Sequence, residues 1–127
     1  MLANCILKDT IGSMSDMTST VNEYTDEQGR SPYALWLRGL RDSRAKAKII
    51  MQVDKMELGL LGDVEPIGDG LSELRIHYGP GYRVYYGKEG RKVYLLLCGG
   101  DKSTQSKDIK KAKVYWKDHK RRNQYET

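Results

Sequence analysis

The sequence predicts an α+β fold: two N-terminal helices, an antiparallel sheet of about four strands, and a C-terminal helix. Between Leu71 and Cys98, two glycine turns, Gly79-Pro80-Gly81 and Gly87-Lys88-Glu89-Gly90, separate three runs rich in valine, isoleucine, leucine and tyrosine. Glycine tolerates positive φ and proline presets its own, so each turn lets the chain reverse into a hairpin. Upstream, apolar residues recur at helical spacing after a Ser-Pro start signal, and they do so again downstream in a lysine-rich stretch. At 127 residues the chain suits one domain whose core needs no disulfide staples.

The elements follow in order. Residues 1–17 carry Ser, Thr, Asp and three methionines without periodicity and read as a flexible extension, with Met14 and Met17 as alternative translation starts. A single domain is expected over 18–121 and a frayed tail over 122–127. Thr20 to Asp26 alternates weakly as a first strand, ended by the turn-like Gln28-Gly29-Arg30. Ser31-Pro32 is a polar cap followed by proline at the first helical position, and Tyr33, Leu35, Trp36, Leu37 and Leu40 form the apolar side of that helix. A second helix is expected over about 42–58, with Ala45, Ile49, Val53 and Met56 toward the core and Arg41, Arg44, Lys48 and Lys55 on another face. Gly59 stops it. Residues 62–70 read as an acidic, turn-rich loop whose Asp63, Glu65 and Asp69 lack the spacing of an EF-hand, so no metal site is expected. After Gly99-Gly100, Ser103 or Thr104 caps a final helix with Ile109, Ala112 and Trp116 as its stripe. Trp36 and Trp116 are expected in the same core.

Centring the first hairpin on Pro80 sets Ile76 opposite Val84, His77 opposite Arg83 and Arg75 opposite Tyr85. Centring the second between Lys88 and Glu89 sets Val84 opposite Val93, Tyr82 opposite Leu95 and Tyr85 opposite Lys92. Side chains alternate faces along a strand. Ile76, Tyr82, Val84, Val93, Leu95 and Leu97 then form an apolar face, while Glu73, Arg75, His77, Arg83, Tyr85, Lys92 and Tyr94 share the other. Tyr78 and Tyr86 have the parity of the apolar face.

Net charge is +5, unevenly spread: 14 Lys/Arg against 6 Asp/Glu from Leu71 onward, and 8 against 11 before it. A basic half points to a polyanionic partner, either RNA or another phosphate-bearing molecule. Cys5 and Cys98 are the only cysteines, which fits a reducing cytoplasm. Leu2-Ala3-Asn4-Cys5 resembles a lipoprotein cleavage box but lacks the basic and apolar regions that export requires. No apolar run approaches the roughly 18 residues of a membrane span. Walker and Rossmann fingerprints are absent, and no cofactor is expected.

LSELRIHYGPGYRVYY followed by LLLCGGDKSTQSKDIKKAK resembles the RelE/ParE superfamily of bacterial toxins, in its HigB-like, phage-derived addiction-module-killer branch. The resemblance spans about residues 20 to 119, with LWLRGLRDSRAKAKI and GDVEPIGDG included. It implies a helical hairpin packed across a twisted sheet, and a cognate antitoxin, commonly a small helix-turn-helix protein. RelE-like and HigB-like members are metal-free, ribosome-dependent endoribonucleases that cleave translated mRNA and arrest growth. ParE-like relatives on the same fold inhibit DNA gyrase without a nuclease site, and an inactive antitoxin-binding remnant is a third alternative. Fold alone does not choose among these.

Metal-free RNA cleavage needs a base for the ribose 2′-proton, cations around the phosphorane, and a proton for the leaving 5′-oxygen. The permanently charged, planar guanidinium donors of Arg75 and Arg83 suit phosphate oxygens. Tyr85, placed between cations, is expected to have a lowered phenol pKa and to stack on a base or transfer a proton. Lys102 resembles a strongly patterned lysine of this branch, with Asp101 to position it. His77 is a further candidate for proton transfer, and Glu73 is placed to orient Arg75. Contacts to ribosomal RNA are assigned to Arg41, Arg44, Lys48, Lys92, Lys107, Lys110 and Lys111, whereas His119 receives no role.

Overall fold

A computed structural model describes residues 18–126. The expectations for residues 1–17, including the flexible extension, the alternative starts and Cys5, lie outside the described residues. The elements are β1 (Thr20–Glu23), α1 (Pro32–Gly39), α2 (Ser43–Glu57), β2 (Val64–Gly68), β3 (Leu71–Ile76), β4 (Tyr82–Glu89), β5 (Val93–Asp101), a 3-10 turn (Lys102–Thr104) and α3 (Gln105–Glu126). The α+β class is as expected. The sheet has five strands in the order β1-β5-β4-β3-β2. Four pair antiparallel and β1 joins β5 in parallel.

The additional strand is β2, which lies within the stretch expected to be an acidic loop. Pro66 is compatible with it because β2 is an edge strand, where a missing N–H is tolerated. The two N-terminal helices start as their sequences dictate. Ser31 Oγ accepts from the Ala34 N–H at 3.1 Å, and the Asp42 carboxylate accepts from Arg44 and Ala45. At the third helix the cap moves. Asp101, rather than Ser103 or Thr104, caps the 3-10 turn from which α3 continues, accepting from the Ser103 N–H at 2.8 Å. The helix also runs through residue 122, where a frayed tail was expected. There Arg122 pairs with Asp118 at 2.8 Å and lies over the Tyr24 ring.

Both hairpin registers differ from expectation. In β3–β4, Ile76 faces Tyr82, Arg75 faces Arg83 and Glu73 faces Tyr85. This is a slip of two residues, which preserves faces because the side-chain period is two. In β4–β5 the turn comes later, with Glu89 facing Val93 and Gly87 facing Leu95. That slip is odd, so it exchanges the faces of β5. Leu95 and Leu97 pack with Tyr85 against α3, while Tyr94 joins Tyr82, Val84 and Tyr86 on the side of α1 and α2. A bulge between Tyr85 and Tyr86 leaves Leu97 without an opposite residue and lets Leu97 and Cys98 share the α3 side.

The sheet is therefore covered on both faces. Ala45, Ile49, Val53 and Met56 of α2 seal one against Leu74, Ile76, Val84 and Leu96. Burying each of the larger of these side chains stabilises the fold by about 1.5–3 kcal/mol. Ala112 and Trp116 of α3 seal the other against Leu71, Tyr85 and Leu97. Trp36 and Trp116 consequently belong to opposite faces, because α1 and α3 approach the sheet from opposite sides. Among the described residues no helix is long and apolar enough to cross a membrane.

Candidate nucleic-acid site at the end of the β3–β4 hairpin

The charged groups converge where β3 and β4 reach the Gly79-Pro80-Gly81 turn. Arg75 and Arg83 stand directly opposite each other in the ladder, so their side chains leave the same face. The pairing of Tyr82 with Asp101 brings Lys102 next to Gly81. A Cβ there would lie 3.4 Å from Arg83 Nη1 and 3.7 Å from Lys102 Cβ, which places the lysine stem beside the arginine head. Lys102 is exposed at the start of the 3-10 turn and forms no ion pair among the described residues.

Each arginine carries its own carboxylates. Glu73 is buried, accepts both of its 3.0 and 3.2 Å hydrogen bonds from Gln105 Nε2, and lies 3.5 Å from Arg83 Nε. Arg83 Nη1 also donates to the Gly81 carbonyl at 2.9 Å. The guanidinium is thus held on two sides, with its side chain only 12% exposed. Arg75 Nη2 donates to Asp63 at 3.0 Å and to Glu65 at 3.3 Å. The expected pairing of Glu73 with Arg75 gives way to one with Arg83, because β2 brings Asp63 and Glu65 to the Arg75 side of the sheet. Asp63 also meets His77 Nε2 at 2.5 Å. Arg75 and His77 together hold the Asp63 carboxyl below the usual carboxylate range.

Tyr85 corrects the sequence reading most sharply. It is fully buried under α3, and burial pushes its phenol up, with Glu73 and Asp108 adding to the shift and Arg83 only partly opposing it. The expected fall is absent, and the ring is out of reach of a base. Tyr94, expected beside it, packs edge-on against Tyr86 in the other core. Asp101 acts on Lys102 through the turn: its carboxylate binds the Ser103 N–H and hydroxyl rather than the ammonium.

The basic residues divide. Lys48 of α2 reaches the cluster, with its ammonium 5.3 Å from the Tyr78 ring centre in a cleft shared with Arg75 and His77. Arg41 and Arg44 are exposed at the α1–α2 corner. Lys107, Lys110 and Lys111 are exposed on the first turns of α3, which begins just after Lys102. Lys92 sits in the β4–β5 turn, at the opposite end of β4 from Arg83. His119, near the C-terminal end of α3, stacks on Trp116 and pairs with Glu89 at 3.0 Å.

Sequence reasoning missed Asp63, Glu65 and Gln105 as partners of the cluster. A readable signal existed for the first two: Val64 flanked by two acids beside a proline fits an edge strand, and pairing it with β3 sets Glu65 opposite Glu73. Gln105 carried no such signal.

A protein of Haemophilus influenzae, described as an uncharacterized protein, is 51% identical over 79 residues, covering 62% of this chain and 80% of its own. The family model for the phage-derived protein Gp49-like (DUF891) matches residues 36–118. That match runs from Trp36 on α1, through β2 to β5 and every member of the Arg75, His77, Arg83 and Lys102 cluster, well into α3. The chain therefore belongs to the phage-derived Gp49-like (DUF891) family.

Proposed function

We propose that this protein is the toxin of a type II toxin-antitoxin module, related to the HigB-like branch of the RelE/ParE superfamily, and that it acts as a metal-independent endoribonuclease on translated mRNA. The observation that carries this reading is the convergence of Arg75, Arg83 and Lys102 at one end of the hairpin. Three cations there suit a phosphodiester whose charge grows in the transition state. Glu73 and Gln105 pre-organise Arg83, so little reordering is needed on binding. Lys102, without a carboxylate of its own among the described residues, offers the least compensated charge to the phosphate. His77 supplies proton transfer, and Tyr85 is assigned to packing. The exposed lysines opening α3 and the Arg41, Arg44 and Lys48 surface extend the contact to ribosomal RNA. The cytoplasm is the corresponding compartment, and the partners are the ribosome with its mRNA and a small helix-turn-helix antitoxin.

Inducible expression of the chain alone, followed by mapping of RNA 5′ ends, tests the reading. Growth arrest with cuts inside translated codons is expected, and Lys102→Ala should lower cutting by roughly 10²-fold or more while the fold is retained. The carboxylates already seated on both arginines favour one second reading, a ParE-type gyrase inhibitor without nuclease chemistry. Arrest with intact transcripts and trapped DNA-gyrase complexes would select it.

A further inference from the structure

Asp63 stands just before β2, and its carbonyl accepts the Arg75 N–H at 2.8 Å, which fixes its backbone beside β3. Its carboxylate is shared. Oδ1 takes the Arg75 guanidinium at 3.0 Å, and Oδ2 meets His77 Nε2 at 2.5 Å. All three residues line one open cleft of about 340 Å³, together with Lys48, Gln52 and Tyr78.

A carboxylate in this state accepts hydrogen bonds only, so the ring nitrogen that meets it carries the proton. In the neutral imidazole that contact puts the N–H on Nε2 and leaves the lone pair on Nδ1. We infer that Asp63 is a positioning residue: it holds His77 in the tautomer that offers Nδ1 as proton acceptor and, through its other oxygen, sets Arg75 at a fixed offset from that acceptor. One carboxylate thereby registers the base against the phosphate-binding group. This rests on the ribonuclease reading above. In the step it serves, the ribose 2′-hydroxyl proton passes to Nδ1 as the 2′-oxygen bonds to phosphorus. The bond from phosphorus to the 5′-oxygen breaks, leaving a 2′,3′-cyclic phosphate. The departing 5′-oxygen takes a proton from water, and the imidazolium returns its own proton to solvent. Asp63 stabilises the imidazolium formed midway in the role of a triad aspartate, though across a solvent-exposed contact.

The test is single-turnover cleavage of a translated mRNA on programmed ribosomes by the purified full chain and its variants, each checked for an unchanged melting curve. His77→Gln should lose roughly 10²-fold or more in rate. Asp63→Asn should lose a similar factor, and the double variant should fall well short of the product of the two losses, because the histidine-mediated part of the Asp63 effect is already gone and only its contact with Arg75 is left to lose. Glu65→Gln, which touches Arg75 but not His77, should instead multiply with His77→Gln. Losses that multiply for Asp63 as well, or an Asp63→Asn rate close to wild type, would overturn the assignment. If the unaltered chain cuts and His77→Gln cuts equally, this inference fails while the ribonuclease reading stands. If the unaltered chain cuts nothing, both fail.

Discussion

Tyr85 carries a hydroxyl into a fully buried position where it finds no hydrogen-bond partner among the described residues. An unpaired buried hydroxyl costs stability, and removing it can be neutral or favourable. Tyr85→Phe should therefore keep cutting activity and change stability by about 0 to +1 kcal/mol in urea unfolding. A large loss of activity with the fold intact would return Tyr85 to the site. Arg75, Arg83 and His77 were legible as a group from parity and turn chemistry, whereas Lys102 was added by the family resemblance. Their partners were not legible, because Asp63 lies 12 positions from Arg75, and Gln105 lies 32 positions from Glu73, through which it reaches Arg83, so both meet the cluster only once β2 and α3 are docked.

At the scale of elements, two tryptophans press on two strand glycines from opposite faces. A Cβ at Gly87 would overlap the Trp116 ring, and one at Gly99 would overlap Trp36. Neither glycine is needed for a left-handed backbone; each makes room for a helix to sit close to the sheet. Gly87→Ala should cost about 1–3 kcal/mol through overpacking and lower the melting temperature, measured by circular dichroism. The helices themselves were readable from caps and apolar spacing, down to Ser31 and the four core positions of α2. The β4–β5 register was not. Four candidate turn residues, Gly87 to Gly90, allow several hairpin closures, and the bulge at Leu97 has no local signature because leucine fits either face of a sheet buried on both sides.

For the whole molecule, ionisable groups set both ends of the pH range. Asp26, Asp42, Asp63 and Asp118 all have folded values lowered from 3.8 by hydrogen bonds and neighbouring cations. Their contribution is present above the unfolded value and is lost as pH falls through the folded ones. At the alkaline end, burial pushes Cys98 from 9.0 up to about 12 and Tyr24 from 10.0 up to about 12, and it raises Tyr33 and Tyr85 as well. The unfolded chain ionises first, so this part of the stability declines as pH rises above the unfolded values. Urea midpoints taken from about pH 3 to about pH 11 should form a plateau that falls below about pH 4 and above about pH 9. A midpoint that keeps rising beyond pH 9 would contradict the burial of these groups.

The sequence by itself determined the α+β class, the start of each N-terminal helix, the core stripe of α2 and the placement of Arg75, His77 and Arg83 around the Gly-Pro-Gly turn. These rest on local periodicity and turn stereochemistry, which act over a few residues. Tertiary structure decided which face of β5 points where, that β2 completes the sheet, that α3 closes over Tyr85, and which carboxylate serves which arginine. Each of these depends on pairings between distant segments. An odd register slip, invisible to local pattern, moves Tyr94 to the opposite core, and the docking of α3 turns Tyr85 from a presumed site residue into core.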